Sequence, residues 1–240
     1  MELTFLGRGA GFNPAEGSTS AYFIDNGELF LIDCGESVFR VLLERKILDS
    51  VSAVNLFITH THSDHCGGLG SLILYANIVK KIKPNFVFDK NTEYLSDVRA
   101  LLGIFGITAA MYSLADASDY NGRCSLFNKV RYVKTGHSKD LAACAIIFET
   151  KQGIVFYSGD TNDSAPLLEI INSGSKIDKI YMDSCNDRDN THHLSIYTLN
   201  DIIPSELKPR TYCMHFNNSR CMEEAGNFGF QIVACQPPIS

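Results

Sequence analysis

Long apolar runs, closely paired cysteines and an excess of positive charge are all missing from this 240-residue sequence. No apolar run approaches the ~20 residues that a membrane-spanning helix needs, and the N-terminal stretch Met1–Phe5 has no basic region ahead of an apolar one. We therefore expect no membrane partner and a cytoplasmic protein. None of the eight cysteines forms a CxxC pair, so we expect free thiols in a reducing compartment rather than disulfides.

The charge balance gives little support for a nucleic-acid surface. The chain carries 21 lysines and arginines against 27 acidic residues, a net charge of −6, and broad nucleic-acid binding needs the opposite sign. The one tight basic run, Lys80, Lys81 and Lys83, is typical of a solvated helix end. Hydrophobic residues make up 45% of the chain, which suits one globular domain over residues 1–240 with a large core. No linker, low-complexity tract or sequence repeat divides it.

One short segment carries most of the chemical information. It places four metal-binding side chains within six residues: His60, His62, Asp64 and His65. The apolar run Val54–Ile58 before it predicts a buried strand that delivers a loop. Residues two apart in extended chain point to the same side, so His60 and His62 can reach one metal ion. Asp64 and His65 follow where the chain turns and can reach a second ion, and imidazole and carboxylate both suit divalent metals.

The pattern H-x-H-x-D-H followed by Gly-Gly resembles the first metal motif of the metallo-β-lactamase superfamily. The later ligands of that superfamily are a His, an Asp and a His, each at a strand end, and this chain has them in that order at His137, Asp160 and His215. Alone, each would more often be a core histidine or a turn-forming aspartate. The order of all three favours ligands. The segment Leu29–Gly35 is similar to the superfamily's early strand, which ends in a structural aspartate.

The resemblance implies an α/β (α+β) fold, a four-layer αβ/βα sandwich, and two divalent metal ions. His60, His62 and His137 would hold one ion, Asp64, His65 and His215 the other, and Asp160 would bridge them. We expect zinc, with manganese or iron as alternatives, because such ligand sets accept several metals. Asp33 is expected to orient a ligand rather than to bind metal. Cys66 adjoins His65, but the cysteine ligand of some members falls elsewhere in the motif order.

A second segment, Asp183–Ser195, is similar to the phosphodiesterase branch that includes ribonuclease Z. There a histidine before a helix helps to protonate the leaving oxygen and an acidic residue orients it, which implies these roles for His193 and Asp183. Asp64 completes the implied catalytic set. Ser195 is expected to cap a helix over Ile196–Ile203. The alternative is that His192 and His193 are surface loop residues.

Several departures bear on the substrate. Asp183 stands where ribonuclease Z usually has Glu, and it is followed by Ser-Cys. The segment Phe216–Ser219 lacks the usual Ser-x-Arg-Tyr pattern. The Gly- and basic-rich arm that grips tRNA in ribonuclease Z has no counterpart in this chain. A small anionic phosphodiester, such as a cyclic nucleotide or cyclic sugar phosphate, fits better than RNA. The alternatives are a lactone or thioester hydrolase and, from another class, a metal-poor binding or regulatory protein. His62 stands where the oxygen-reducing di-iron branch has Glu, which favours hydrolysis. The resemblance alone implies a homodimer.

Periodicity and turn residues predict the remaining elements. Asp25-Asn-Gly27 predicts a hairpin turn. The segment from about Asp89 to Cys124 matches no pattern, and we expect it to line the pocket. Strands are predicted at Leu3–Leu6, Ala21–Ile24, Leu29–Ile32, Asn85–Phe88, Lys129–Lys134, Ala143–Thr150, Ile154–Tyr157, Ile180–Asp183 and Thr211–His215. Further helices are predicted around Val38–Leu43, over Leu69–Lys81 with its N-terminus toward the metals, from a Thr92 cap to about Ile104, and over Pro166–Asn172.

Overall fold

The computed structural model describes residues 1–89 and 95–235, and their strands form two six-stranded sheets. The first sheet has the order β1-β2-β3-β4-β5-β6 and the second the order β12-β11-β10-β9-β8-β7. The strands of the first sheet are β1 (Thr4–Gly7), β2 (Ser20–Asp25), β3 (Glu28–Ile32), β4 (Ala53–Phe57), β5 (Asn85–Phe88) and β6 (Ser113–Asp116). Those of the second are β7 (Lys129–Ser138), β8 (Leu141–Glu149), β9 (Ile154–Tyr157), β10 (Ile177–Asp183), β11 (Thr211–Met214) and β12 (Gln231–Ile232).

The two sheets share one topology. In each sheet the first three strands pair antiparallel, and the third to sixth run parallel. Parallel strands need crossover connections, and the helices of the chain supply most of them. The helices are α1 (Val38–Glu44), α2 (Ser63–Cys66), α3 (Leu69–Tyr75), α4 (Leu95–Ile104), α5 (Ala165–Asn172), α6 (Ile196–Ile202) and α7 (Ser219–Asn227).

Aromatic side chains fill the space between the sheets. Phe23 of β2 and Phe57 of β4 meet Phe148 of β8, with ring centroids 6.1 Å and 5.6 Å apart. Phe127 closes the same cluster 5.3 Å from Phe148. The opposite face of the second sheet packs against α5, α6 and α7 in a separate apolar cluster. The two facing sheets, with helices on the outer face of the second, confirm the predicted α/β sandwich.

The predicted turns and thiols agree with the structure. The Asp25-Asn-Gly27 turn joins β2 to β3, and Asn26 and Gly27 both have positive φ, at 51° and 76°, as a tight hairpin turn requires. The eight cysteines are all free, as expected. Lys81 and Lys83 are exposed, while Lys80 pairs with Asp49. In the described residues, no helix combines the length and apolar character needed to cross a membrane.

Some predicted elements were wrong or lie elsewhere. The helix predicted over Leu69–Lys81 ends as an α-helix at Tyr75 and continues as a π-helical turn over Ala76–Lys80. The helix that begins at the metal motif is α2 rather than α3, because Ser63–Cys66 already forms a turn of helix there. Strands β6 and β12 and helix α7 were not predicted. The predicted cap at Thr92 lies outside the described residues.

The aromatic cluster between the sheets generates a stability prediction. Phe148→Ala should lower the free energy of unfolding by ~3–5 kcal/mol, because the cavity left between two sheets cannot collapse. Urea unfolding followed by circular dichroism measures the change. Ile104→Ala is the control, since Ile104 is 82% exposed and its loss should cost less than about 0.5 kcal/mol. Equal losses in the two variants would contradict this role for the cluster.

Candidate metal centre

The first group of predicted ligands gathers beyond the end of strand β4. It contains His60, His62, His137 and Asp160. His60 Nε2 lies 3.1 Å from His62 Nδ1, and His137 Nε2 lies 3.0 Å from the same His62 nitrogen. His60 is fully buried, and His62 is partly exposed to the cavity beside it. Three imidazole nitrogens thus converge although His137 is far from the other two in sequence.

The second group lies directly beside the first and contains Asp64, His65, His215 and again Asp160. His215 Nε2 lies 3.2 Å from Asp64 Oδ2, and His65 Nε2 lies 3.5 Å from the same oxygen. All four side chains are buried. The structure therefore brings all seven predicted ligands together in two adjoining groups.

Asp160 is the carboxylate that the two groups share. Its Oδ1 lies 3.2 Å from His65 Nε2, and its Oδ2 lies 3.2 Å from His215 Nε2. The same Oδ2 lies 3.8 Å from His60 Nε2 and 3.9 Å from His137 Nε2. With 3% of Asp160 exposed, water screens these interactions weakly. Asp160 therefore lies between the two groups and contacts members of both.

Irregular backbone conformations direct the side chains of two histidines, His137 and His215, toward the centre. His215 directly follows β11 and has φ 61°, a left-handed conformation that non-glycine residues seldom adopt. His137 lies within β7, where the pairing with β8 shifts register between Thr135 and Ser138. Such irregularities redirect a side chain out of the normal alternation of a strand. Local strain of this kind concentrates at functional sites.

Asp33 holds the His65 ring from behind. This buried carboxylate accepts hydrogen bonds from the Thr59 amide and hydroxyl, each 2.8 Å long, and lies 2.9 Å from His65 Nδ1. With Nδ1 engaged, His65 presents Nε2 to the centre. The Thr59 hydroxyl also lies 3.1 Å from His60 Nδ1. Sequence reasoning anticipated Asp33 but missed Thr59, whose only signal is a hydroxyl directly before the first histidine.

Asp183 and His193 complete the centre on the side of the second sheet. Asp183 ends β10 fully buried, and its Oδ2 lies 2.8 Å from His193 Nδ1 and accepts a 3.0 Å hydrogen bond from the Thr161 amide. Asp183 Oδ1 lies 3.3 Å from His215 Nδ1. His193 Nδ1 is 4.0 Å from Asp160 Oδ2, so His193 borders the ligand groups rather than lying on a remote loop.

His192 has a different position from its neighbour. Its side chain is exposed, but its backbone carbonyl accepts a 2.8 Å hydrogen bond from His137 Nδ1. This contact fixes the orientation of the His137 ring through the backbone, a role that no sequence pattern indicates. The alternative that both histidines are surface loop residues therefore holds for the His192 side chain but not for His193.

Electrostatics divide the histidines into two sets. Burial and neighbouring imidazoles lower the pKa of His60 well below its ordinary value. Burial also acts to lower the pKa of His65, but the carboxylates of Asp160 and Asp33 outweigh it and hold that pKa well above the ordinary value. Against the same effect of burial, Asp160 and Asp183 raise the pKa of His215 to about 10. The buried carboxylates thus attract positive charge into the centre.

The donor atoms fit divalent metal ions. Ligand atoms ~2.1 Å from one ion are separated by roughly 3.0–3.4 Å at bond angles between octahedral and tetrahedral. The closest contacts within the two groups measure 3.0 Å to 3.2 Å. Among the described residues, His65 Nε2 is one of the few buried side-chain atoms without a hydrogen bond of acceptable geometry, although it faces Asp160 and Asp64. Cys66 does not join them, because its thiol donates to the Thr61 and His62 carbonyls.

A cavity of about 550 Å³ opens over the two ligand groups. Its lining includes Phe12, Asp64, Asp160, Asn190, His193 and His215. We expected the segment from Asp89 to Cys124 to line this space, and for the described part of that segment the expectation was wrong. The walls come instead from the loop after β1 and from the segment between β10 and α6.

The Asp33–His65 contact generates a prediction. Asp33→Asn should weaken the binding of one metal ion by ~10–100-fold, because the new NH2 group must face another donor in either orientation. In one orientation it faces the Thr59 amide N–H, and in the other it faces both His65 Nδ1–H and the Thr59 hydroxyl. Asn is the matched replacement, since Asp33 has φ 59° and Asn tolerates that conformation. Titration with metal-buffered zinc measures the affinity of each site. Unchanged affinity at both sites, with normal folding, would contradict the orienting role.

Comparisons with known proteins agree with this architecture. The chain is 28% identical over 236 residues to the Anti-Pycsar protein Apyc1 of Bacillus phage BSP38, and the match covers 91% of this chain and 90% of that protein. It is 30% identical over 160 residues to a ribonuclease Z of Archaeoglobus fulgidus, covering 64% of this chain and half of the relative. Human tRNase Z, short form (ELAC1), has the same fold, with a TM-score of 0.65 at 17% identity, covering 100% of this chain and 98% of that one.

The family comparison covers nearly the whole chain. The family model described as Anti-Pycsar protein Apyc1 matches residues 1–236. Together with the fold and the ribonuclease Z relatives, this match confirms the predicted superfamily and branch. The chain belongs to the Anti-Pycsar protein Apyc1 family, a ribonuclease Z-like member of the metallo-β-lactamase superfamily.

Proposed function

We propose that this protein is a dinuclear metal-dependent phosphodiesterase that cleaves a small phosphodiester, a cyclic nucleotide or cyclic sugar phosphate. The observation that carries the proposal is a cavity lined by both ligand groups and by His193, which is hydrogen-bonded to a buried carboxylate. The ribonuclease Z-like relatives support phosphodiester chemistry.

Seven residues of the chain would bind metal ions, and a different residue would transfer the proton. His60, His62, His137, Asp64, His65, His215 and Asp160 would hold two divalent ions, zinc or otherwise manganese or iron. When bound, such ions supply Lewis acidity and a water that ionises near neutral pH. The chain's own contribution is to fix the ligand rings through contacts such as Asp33 to His65 and Asp183 to His215.

His193 would act as the general acid. Its Nδ1 is engaged by Asp183, so Nε2 is the nitrogen left to transfer a proton. Burial acts to lower the pKa of His193, but the Asp183 carboxylate outweighs burial and raises it, which keeps the ring protonated at higher pH. As the phosphorus–oxygen bond breaks, Nε2 would give its proton to the leaving oxygen and the ring would become neutral.

The cavity limits the size of the substrate. A volume of about 550 Å³ is within the range of small-molecule sites. The described lining residues include no lysine or arginine to follow a nucleic-acid backbone beyond the centre. The net charge of −6 further disfavours a long polyanion. A single phosphodiester placed at the ligand groups satisfies both constraints.

A substrate panel with metal removal tests the reaction class. Zinc- or manganese-loaded protein should hydrolyse bis(p-nitrophenyl) phosphate and cyclic nucleotides but not lactones or thioesters. Chelation with EDTA should abolish turnover, and added metal should restore it. The reason is that the seven ligand side chains cannot activate water without the ions that they bind. Lactone or thioester turnover without phosphodiester turnover would overturn the proposal in favour of an ester hydrolase. Protein that binds far less than one equivalent of metal would indicate a binding protein instead.

Two histidine variants separate acid catalysis from metal binding. His193→Ala should lower kcat by ~10²–10⁴ with metal content unchanged, because it removes a proton donor and no ligand. His62→Ala should lose metal as well as activity. His192→Ala is the matched control, since the exposed His192 ring contacts the Thr191 hydroxyl, whereas His193 contacts Asp183, and its variant keeps the carbonyl that orients His137. Metal analysis and initial rates decide the case, and full activity in His193→Ala rejects the acid role.

A further inference from the structure

Asn190 lies in the wall of the cavity, on the segment between β10 and α6. Residues 186–194 of this segment belong to no helix or strand. The partly buried Asn190 side chain accepts hydrogen bonds at its Oδ1 from two successive backbone amides, 2.8 Å from His192 N and 2.9 Å from His193 N. Such an Asx turn supplies the backbone with the acceptor that regular structure would otherwise give it.

The two amides held by Asn190 belong to residues that serve the centre in different ways. The His193 ring contacts Asp183, and the His192 carbonyl accepts a 2.8 Å hydrogen bond from His137 Nδ1. One side-chain oxygen therefore fixes the backbone of the candidate acid and the backbone that orients a candidate ligand.

These contacts also determine which way the carboxamide of Asn190 is turned. Backbone N–H groups only donate, so the atom that faces them must be the oxygen, and the NH2 group points away from them. No described residue accepts a hydrogen bond from this NH2 group. A residue in the cavity wall thus keeps two hydrogen-bond donors without a partner in the described part of the chain.

A phosphoryl group in the cavity would need donors of this kind. Its negative charge lies on the non-bridging oxygens, and the described lining residues include no lysine or arginine to meet them. A neutral amide that is already held in place stabilises such an oxygen without being ionised and without reorganising. The carboxamide of Asn190 is fixed by the amides of His192 and His193, so it loses little freedom when it binds.

We infer that Asn190 couples the candidate acid to the substrate. Its Oδ1 positions His193, while its NH2 group donates a hydrogen bond to a non-bridging oxygen of the phosphoryl group at the ligand groups. This inference rests on the proposed phosphodiesterase function. Because one planar carboxamide holds both the backbone of His193 and the phosphoryl oxygen, it sets the position of the acid relative to the leaving oxygen. Asn190 itself transfers no proton.

The variant Asn190→Asp separates the two halves of the carboxamide. The carboxylate keeps an oxygen for the two backbone amides but replaces the NH2 group by an oxygen that cannot donate. Folding and metal content should therefore stay normal. Binding of inorganic phosphate to the zinc-loaded protein should weaken by ~10–100-fold, because a hydrogen bond to a charged group is lost and two negative groups face each other. Isothermal titration calorimetry measures this affinity without any turnover.

Further variants separate substrate binding from positioning of the acid. Asn190→Ser is the neutral counterpart, because a serine hydroxyl can accept from the amide two residues on and carries no NH2 group. With bis(p-nitrophenyl) phosphate, Asn190→Asp and Asn190→Ser should raise KM, whereas Asn190→Ala should also lower kcat because the backbone of His193 loses its anchor. Asn186→Ala is the matched control and should change neither constant. Asn186 lies on the same segment, its carboxamide contacts Asn218, and it is not among the described lining residues.

Several outcomes would overturn the inference. Wild-type phosphate affinity in both Asn190→Asp and Asn190→Ser rejects the donor role, and so does metal-loaded wild type that binds no phosphate. Metal loss in Asn190→Asp and Asn190→Ser as large as in Asn190→Ala would make Asn190 a structural residue only. If Asn190→Asp fails to fold, Asn190→Ser decides the case. Wild type that binds phosphate but cleaves no phosphodiester rejects the proposed function, whereas an affinity that depends on Asn190 still supports its donor role.

Discussion

The centre depends on one buried carboxylate, Asp160, because it is the contact through which two sets of imidazoles become one site. Its two oxygens face His65 and His215 at 3.2 Å, and one of them also approaches His60 and His137. Burying several carboxylates and imidazoles around one point is unfavourable unless their charges are compensated. Divalent cations compensate them most effectively, since each satisfies several lone pairs at once. The free-energy cost of burying these groups together is thus an argument that the centre binds metal ions.

The repeated topology explains how residues from distant parts of the chain reach this point. In both sheets the third strand begins the parallel part, and ligands in such sheets bind beyond the carboxyl ends of the strands. Strand β3 and strand β9 hold equivalent places, and each is followed within three residues by a carboxylate of the centre, Asp33 and Asp160. Asp33 orients a histidine from behind, whereas Asp160 stands between the groups. The sandwich therefore brings the functional ends of two similar halves together.

Prediction from sequence succeeded where the signal was local or carried by a family pattern. The spacing of the first motif is enough to predict ligands at His60, His62, Asp64 and His65. Only the order of ligands in the superfamily indicated that His137 and His215 would join them. Strand β6 was not predicted because Ser113–Asp116 has no apolar run. Helix α7 was not predicted because most of its residues are polar. The π-helical turn after Tyr75 interrupted an otherwise continuous helical pattern. Phe12 could not be predicted, since its placement depends on hydrogen bonds to Phe216 near the other end of the chain.

For the proposed phosphodiesterase, the charge distribution would make metal occupancy a condition for substrate binding as well as for chemistry. The chain is acidic overall, and among the described lining residues of the cavity no lysine or arginine attracts a phosphate. In the proposed phosphodiesterase, bound cations, whose local charge the sequence count omits, would supply most of the positive charge that draws an anionic substrate, together with the protonated ring of His193. Their attraction is screened within about 8 Å at physiological ionic strength. A polyanion longer than this distance would meet the acidic surface without compensation, whereas one phosphodiester would lie entirely within the favourable field. For the proposed function, electrostatics alone would then favour small substrates.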